Sequence, residues 1–461
     1  MDSDLKKAFE TIKKKQGKYS ALFGYYDGNQ PIVYSTAKLR EIFRSIDVNF
    51  TVNMCSVVIN AVKERIAFEG FNAKDQGIKK ALDEMVLSQG LIGEADEVHE
   101  AALITGEAYI IVWPRIDADG TATNEVEEFY NDPRNAHVFY DPGNPKRASY
   151  GAKLWQDGNG MWHITLYYPD RMEYYVTTKK MGDSKLPAEV TSFMPDVSRR
   201  GVEIDGDVIT WPVNEYGQIP IFHFQTERRQ AKSDLVDVIP LQNAENKLLA
   251  DMMVAAEYGA YKQRYVISNA DTGGLKNEPN VVWTIPPGDG VGQATSVGEF
   301  SATDLENYIK GIDSLIGWTS SITNTPKHYF QSTTDAPSGE ALIAMEAPLN
   351  KKVQDRIDKF SPVWQQVAAF ALKVMGREVV ATDIAVNFKK PETVQPKTEI
   401  EIITAESKLY PLDMVLKRHN YPQAFIDEVM KRVAEDEAKK TASLADVYSQ
   451  AMTKFSRGGV K

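Results

Sequence analysis

A group of acidic residues offers the first possibility of chemistry in this chain. Asp117 and Asp119 precede Glu128, and carboxylates in so short a run could hold a divalent metal for hydrolysis of a nucleic acid. Ala122, however, occupies the position at which a calcium loop needs Gly, and Thr121 occupies that of the third ligand. These residues therefore favour a β-hairpin turn. A metal-dependent nucleic-acid-processing enzyme is kept as the alternative.

Other catalytic patterns fail in this sequence. The 6 histidines form no His-x-x-x-His pair, and His137, His163 and His223 alternate within strand-like runs, which favours structural roles. No Gly-x-Ser-x-Gly elbow and no Walker loop occurs. The glycine-rich run 288–292 has Gln293 where a dinucleotide loop needs its third Gly, so it is predicted to be a turn. We expect no catalytic residues, no cofactor and no bound metal.

The stretch from Phe330 to Lys352 indicates a mechanical role instead. It begins FQSTTDAPSGE, a polar run rich in helix breakers, and continues as a strong helix former. Ser338 is suited to cap that helix, and Glu340 lies in its first turn, where a carboxylate complements the helix dipole. Ser338 is therefore interpreted as a helix start and not as a nucleophile.

Composition limits the classes of partner. The 461 residues carry a net charge of -11, so the chain is not expected to grip nucleic acid through a broad basic face. An acidic surface does suit DNA that slides, because few tight Lys or Arg contacts must be broken at each step. The single cysteine, Cys55, excludes an internal disulfide and is expected to be buried. No stretch approaches the ~18 apolar residues of a membrane span, and no signal-peptide core is visible.

The elements that must position these residues change type along the chain. The first ~105 residues are predicted to be helical, with one helix over Val52–Ile66 and another over Glu94–Thr105 that ends at Gly106. From Ala108 to about Gln225 the pattern has a period near two, with aromatic and β-branched runs between Gly-containing turns. This pattern predicts an antiparallel meander.

Helices return in the second half. Leu241–Lys262 has apolar residues at helical spacing, with Asn243, Lys247 and Asp251 as its predicted polar edge. A second helix, 303–323, is predicted to begin at a capping box formed by Thr303 and Glu306. Strand-like runs at 264–267 and 281–285 lie between the two helices.

A connection of unusual length follows the second helix. Residues 324–338 form a polar run longer than packed helices usually need, and long ordered loops are often functional. The helix after it is predicted to reach Lys373, with kinks at Pro348 and Pro362, because each proline removes a backbone hydrogen bond.

Several segments, in their order along the chain, resemble one known family. Three short runs lie at 25–28 (YYDG), 60–71 (NAVKERIAFEGF) and 105–114 (TGEAYIIVWP), and three longer ones at 239–260 (IPLQNAENKLLADMMVAAEYGA), 322–330 (ITNTPKHYF) and 338–353 (SGEALIAMEAPLNKKV). Together they are similar to the portal proteins of tailed double-stranded DNA bacteriophages, in the branch typical of long non-contractile tails. The similarity spans roughly residues 20–376.

The resemblance implies an α+β portal fold and a ring, usually of twelve subunits, at one capsid vertex. DNA would enter the capsid through this head-tail connector during packaging and leave through it at ejection. The implied regions are an α/β wing (1–233), a first stem helix (234–263), a small clip (264–302), a second stem helix (303–323), a tunnel loop (324–338), a long kinked helix (339–376) and a helical crown (377–461).

The resemblance also implies sites and partners. The tunnel loop would face DNA through Lys327, His328, Tyr329, Phe330, Gln331, Ser332, Thr333 and Thr334. The clip would dock the motor and adaptors through Val281, Trp283, Pro286, Pro287 and Asp289. Expected partners are further copies of the chain, sliding double-stranded DNA, the terminase large subunit, major capsid and scaffold proteins, and head-completion or adaptor proteins, without a membrane. The protein would be assembled in the host cytoplasm and kept in the virion. Another head-tail connector or tail protein is a further alternative.

Overall fold

Two compact units make up the chain, Met1–Pro391 and Glu392–Lys461. The computed structural model describes residues 3–30, 51–117, 122–182, 186–199, 201–227, 231–260, 264–267, 275, 283, 296–300, 304–331, 338–391, 396–419, 426, 427 and 429–435. Helices and antiparallel strands both occur in these parts, so the predicted α+β fold class is confirmed. No helix in the described parts is long and apolar enough to cross a membrane.

The helices of the first unit surround its core. Some of them begin at residues with a capping side chain; for example, Asn53 accepts a hydrogen bond from the Ser56 N–H and Asp75 accepts one from the Ile78 N–H. The helices are α1 (Ser3–Tyr26), α2 (Met54–Lys63), α3 (Gln76–Ser88), α4 (Leu91–Thr105), α5 (Ile239–Ala260), α6 (Glu306–Thr323) and α7 (Gly339–Val374). The second unit contains α8 (Pro396–Glu406) and α9 (Leu412–Arg418).

The strands form small antiparallel sheets. They are β1 (Phe68–Ala73), β2 (Glu107–Ile116), β3 (Ala122–Asn131), β4 (Ala136–Asp141), β5 (Asn144–Gln156), β6 (Trp162–Tyr167), β7 (Met172–Thr177), β8 (Phe193–Pro195), β9 (Glu203–Asp205), β10 (Val208–Thr210), β11 (Ile221–Gln225), β12 (Arg264–Ile267), β13 (Ser296–Glu299) and β14 (Ile384–Phe388). Strands β4 to β8 pair in sequence order, which confirms the predicted meander for this part of 108–225. Strand β11 pairs with β2, and β2 pairs with β3, in a separate sheet.

Three sequence predictions differ from the fold. Residues 68–73 lie in the stretch predicted to be helical, but they form β1, which pairs with the distant β14. Helix α6 begins at Glu306 and not at 303, and the Glu306 N–H donates to Asp304 at 2.9 Å; Thr303, from which the capping box was predicted, lies outside the described residues. Asn243 does not belong to a solvated edge, because it is buried and its side-chain amide contacts the hydroxyl of Tyr25.

The main core forms where α7 crosses the β2 sheet and α4. Trp364 is fully buried and donates its indole N–H to Nε2 of His99 at 3.0 Å. The His99 ring stacks on Phe360, with centroids 5.2 Å apart, and Phe68 stacks on Trp364. Burial lowers the pKa of His99 to about 3, so this ring is a neutral acceptor at neutral pH. These contacts fix α7 against α4 and β1.

A close backbone approach fixes the turn from α4 into β2. Gly106 ends α4 with φ of 94°, and its carbonyl accepts a hydrogen bond from the Thr226 N–H at 3.0 Å. A Cβ atom at this position would lie 2.5 Å from the backbone nitrogen of Lys232. Position 106 therefore requires Gly because of its positive φ and because a side chain would not fit. The sequence analysis predicts the helix end at Gly106 but not this close contact.

Gly106→Ala should destabilise the chain more than a change of backbone conformation alone explains. We expect a loss of about 3 kcal/mol, from left-handed strain together with overpacking against Lys232. Gly376→Ala is the matched control, because Gly376 also has a positive φ of 77° but a Cβ atom there would meet no other atom within 4 Å; it should cost about 1 kcal/mol. Urea unfolding followed by far-UV circular dichroism measures both changes, and equal shifts of the midpoint would contradict the steric explanation.

Candidate functional site: an anchored loop between two helices

The connection from α6 to α7 begins with an ordered turn. Asn324 ends α6 in the left-handed conformation, with φ of 57°, and its N–H donates to the carbonyl of Ser320. Asn adopts this conformation more readily than other residues with a Cβ. Thr325 follows and is completely buried. Lys327–Tyr329 then form a short 3-10 helix. The first residues of the predicted tunnel loop are therefore folded onto the first unit.

Arg65 is the central polar anchor of this segment. It follows α2, and its guanidinium donates to the Tyr329 hydroxyl at 2.5 Å and to the Asn350 side-chain oxygen at 3.2 Å. The same guanidinium pairs with Glu346 at 3.2 Å, and both charged side chains are largely buried. His328 Nε2 lies 3.8 Å from the Glu346 carboxylate. The end of α2, the loop and the first turns of α7 therefore meet at one ion pair.

A second, more exposed carboxylate holds the loop against α6. Asp313 accepts a hydrogen bond from Gln331 at 3.0 Å and pairs with Lys327 at 3.1 Å. The hydrogen bond from Gln331, and then that from Lys327, lowers the pKa of Asp313. Because Lys327 has this partner, the base of the loop carries little unbalanced positive charge.

The structure places five of the eight residues predicted to face DNA. Tyr329 and Phe330 are partly buried and pack against the main core, and the polar ends of Lys327 and Gln331 contact Asp313. Ser332, Thr333 and Thr334 lie outside the described residues. On the far side of the loop, Ser338 accepts a hydrogen bond from the Ala341 N–H at 3.3 Å, which confirms the predicted cap of α7. We call residues 327–331 the loop anchor.

The predicted docking residues of the clip are described only in part. Strand β12 confirms the strand predicted at 264–267, but it pairs with β13, which the sequence analysis did not predict. The guanidinium of Arg264 lies 5.7 Å from the centre of the Trp283 indole, within cation-π range. The remaining docking candidates, Val281, Pro286, Pro287 and Asp289, lie outside the described residues, as does most of the second predicted strand.

The amides of α5 form a clamp that sequence reasoning missed. Gln242 is buried and accepts hydrogen bonds from the N–H groups of Met54 and Cys55, the first donors of α2, at 2.5 and 3.2 Å. Asn246 accepts one from the Val52 N–H at 2.9 Å. Free N–H groups at a helix start need such partners. Their spacing of one turn in a helix with many other polar residues did not distinguish these two amides in the sequence.

A buried polar cluster attaches α1 to both larger sheets. The Glu107 carboxylate is 3% exposed and contacts the ammonium of Lys15, the hydroxyl of Tyr19 at 2.6 Å and Nε2 of His223 at 3.1 Å. The Lys15 ammonium also lies against Nδ1 of His137. The two histidines are thus structural partners of α1, in line with the interpretation from sequence. We call these five residues the Glu107 cluster.

The charges in this cluster balance one another. Burial alone would raise the pKa of Glu107, but the hydrogen bond from His223 and the charge of Lys15 outweigh it, so the net shift is downward. Burial, together with the neighbouring Lys15 charge, lowers the pKa of His137 to about 3. Burial also lowers the pKa of His223. At neutral pH one carboxylate and one ammonium therefore face two neutral imidazoles.

The acidic residues considered for metal chemistry show no metal site in the described parts. Asp117 is exposed just after β2, Asp119 lies outside the described residues, and Glu128 belongs to β3. Strands β2 and β3 form the hairpin predicted from the sequence. No group of three or more His, Cys, Asp or Glu side chains that could hold a metal occurs within the part of the chain that the structure describes.

Comparison with known proteins agrees with this architecture. Residues 6–442 match the model of the family described as phage portal protein, SPP1 Gp6-like. The portal protein of Mycobacterium phage D29 is 23% identical over 416 residues, which cover 82% of this chain and 78% of that protein. The portal protein of Mycobacterium phage L5 is 23% identical over 380 residues, covering 76% and 71%.

Fold, loop and relatives together define a structural protein of the phage head. The chain belongs to the SPP1 Gp6-like family of phage portal proteins. Portal proteins form an oligomeric ring in the phage head and are structural proteins, not enzymes. The alternative of a metal-dependent enzyme built on Asp117, Asp119 and Glu128 is therefore wrong, and the chain is a portal protein and not another connector or tail protein.

Arg65→Ala should release the loop anchor while leaving the rest of the unit folded. Loss of the charged donor to Tyr329 and of the partner of Glu346 should speed amide hydrogen exchange at residues 327–331 by about tenfold to a hundredfold. Arg115→Ala is the control, because Arg115 pairs with Glu125 at 2.8 Å on an exposed surface and should change exchange there little. Unchanged exchange at the anchor in Arg65→Ala would show that Arg65 does not hold the loop.

Acid should destabilise the first unit through its buried histidines. The pKa of His137 is about 3 in the folded chain and near 6.5 in the unfolded chain. The unfolded chain therefore binds the proton first, and the free energy of unfolding falls as the pH drops below about 6.5. Each such histidine contributes up to about 1.4 kcal/mol per pH unit. Urea unfolding between pH 6 and 4.5 measures the slope, which should be smaller in His137→Asn; an unchanged slope would contradict this origin.

Proposed function

We propose that this chain is one subunit of a twelve-membered channel at a single capsid vertex. Double-stranded DNA passes through the channel into the capsid during packaging and out of it at ejection. The match to the portal family over residues 6–442 supports this role. The order of elements supports it further, since the α5 and α6 helices pack together and lead through the loop into α7.

The regions of the subunit then have separate tasks. Residues 1–233, with α1 to α4 and most of the strands, form the wing. Segments 234–263 and 303–323 carry the two stem helices, 264–302 is the clip, 324–338 the tunnel loop and 339–376 the long helix. The helical crown would begin after Pro391 and not at 377, because β14 pairs with β1 and belongs to the first unit.

The loop anchor is the observation that carries the mechanism. Residues 327–331 hold the loop to α2, α6 and α7 through Arg65, Glu346 and Asp313. We therefore place the contact with DNA in Ser332, Thr333 and Thr334, whose side chains are uncharged. Uncharged side chains cannot neutralise phosphates. They therefore create no tight binding site for DNA, and the DNA can slide past them.

The remaining partners follow from the same role. A separate ATPase, the terminase large subunit, would dock on the clip through Val281, Trp283, Pro286, Pro287 and Asp289 and supply the energy, consistent with the lack of a Walker loop in this sequence. Major capsid and scaffold proteins would surround the ring during assembly in the host cytoplasm. Head-completion or adaptor proteins would bind after packaging, and the ring would stay in the virion at the portal vertex.

Electron micrographs of the purified chain test the ring directly. We expect closed rings with a central hole, of one size, that contain about twelve copies, because cyclic assemblies close at a fixed number of subunits. Native mass spectrometry of the same sample gives the copy number. Only monomers, both under assembly conditions and in extracts of virions, would contradict the proposed function.

Deletion of Thr333–Ala336 should separate assembly from DNA handling. The deletion leaves the anchor at 327–331 and the Ser338 cap in place, so folding and ring formation should be unchanged. Packaging, or retention of packaged DNA, should fall, as measured by nuclease-protected DNA per capsid. A variant with four Gly or Ser residues in place of 333–336 keeps the length and serves as the control. Normal packaging by the deletion variant would show that the loop is only a linker.

A further inference from the structure

A deep groove runs between α7 and the free edge of a sheet. It has a volume of about 1200 Å³. Helix α7 lines it through Pro362, Val363 and Phe370, and β11 lines it through Ile221 and His223. Strand β4 and the start of β5 contribute further walls. We call this space the edge groove.

Strand β11 presents unpaired backbone groups to the edge groove. It is an edge strand, with β2 as its neighbour. The Thr226 N–H donates to the Gly106 carbonyl, so the even-numbered residues of this antiparallel pair face β2. Ile221, His223 and Gln225 therefore direct their N–H and C=O groups away from β2, and within the described chain none of these groups has a backbone partner. Such an edge is a template for an added extended segment.

The rim of the groove is basic. Lys146, Arg147, Lys359 and Lys373 line it together with the carboxylate of Glu378, and Lys359 pairs with Asp355 at 2.7 Å and with Glu227 at 3.6 Å. Lys146 and Arg147 are exposed, and the described residues give neither of them a carboxylate partner. A segment that fits this groove would therefore combine extended backbone, apolar side chains and negative charge.

One hairpin of the chain has these three properties. Strands β9 and β10 pair as a two-stranded sheet. Its acidic residues are Glu203, Asp205 and Asp207, and Ile204 and Val208 are 50% and 67% exposed. An isolated two-stranded hairpin is marginally stable and gains from a covered face. Strands of 3 residues span about 10 Å, which fits along the 5 residues of β11.

The hairpin and the groove are separate surfaces of the same subunit. None of the residues that line the groove belongs to the hairpin. The chain leaving the hairpin forms a bridge between Val213 and Arg171 and then reaches the groove, which Pro169 and residues 217–219 help to line. A closed ring needs two different, complementary surfaces on each subunit.

We propose that the β9–β10 hairpin of one subunit docks in the edge groove of the neighbouring copy, with its acidic residues against Lys146 and Arg147 and one strand along β11. The inference rests on the ring described under the proposed function and specifies one of its contacts. The contact is head-to-tail, so each subunit gives a hairpin to one neighbour and receives one from the other. It depends on charge and is weakened by salt.

A charge swap tests this contact. Glu203→Lys with Asp205→Lys should weaken assembly, and so should Lys146→Glu with Arg147→Glu, because each pair sets like charges against each other. We expect the chain concentration at half assembly to rise about tenfold or more in each pair, measured by mass photometry in 0.1 M salt. The chain with all four substitutions should return to within about threefold of wild type. Lys79→Glu with Lys80→Glu, on the solvent-facing side of α3, is the matched control and should assemble normally.

The outcomes are distinguishable. Circular dichroism confirms that each variant is folded, and Ile204→Ser with Val208→Ser, at exposed positions, replaces any variant that is not; it should also weaken assembly. Wild-type assembly by the hairpin or groove variants, or a swap that fails to restore assembly, would overturn the inference and leave the ring intact. A wild-type chain that never forms rings would overturn the proposed ring together with this contact.

Discussion

The buried ion pair between Arg356 and Asp234 fixes the helix on which both the core and the loop depend. The two side chains are 2.7 Å apart and less than a tenth exposed, and Lys352 pairs with the same carboxylate at 3.1 Å. Burial alone would raise the pKa of Asp234, but the two cations outweigh it and lower the pKa. Removing Asp234 would leave two buried cations without their shared carboxylate, which is strongly unfavourable at a site closed to water. These ion pairs, near the middle of α7, therefore fix the rotation of the helix about its axis.

On either side of these ion pairs, α7 makes a further set of contacts. Towards its start, Glu346 and Asn350 receive Arg65 and thereby hold the loop anchor. Towards its end, Trp364 inserts between the aromatic side chains of the main core and donates to His99. One continuous helix, Gly339–Val374, thus connects the loop to the main core. Such a connection suits the proposed contact of the loop with moving DNA.

Patterns among neighbouring residues predict much of this fold, but they do not predict where distant segments pair. The Gly106 cap, the Ser338 cap and the strand at 264–267 depend on neighbouring residues, and each was predicted. Strand β1 was missed because its partner β14 lies at the other end of the unit, and pairing at that distance leaves no local pattern. The buried amides Gln242 and Asn246 were missed for the same reason, since their partners are backbone groups of α2 and the residues before it.

The site itself was predictable as a segment but not as a set of contacts. Its length and polarity marked 324–338, yet the division into an anchor and a tip depends on Arg65 and Asp313, which lie in other helical regions. That division changes the role expected for Lys327. Lys327 reads from sequence as a candidate phosphate contact, but in the fold its charge is matched by Asp313. A cation held in this way strengthens the base of the loop and weakens its attraction for a polyanion, and both effects favour a channel through which DNA passes without being retained.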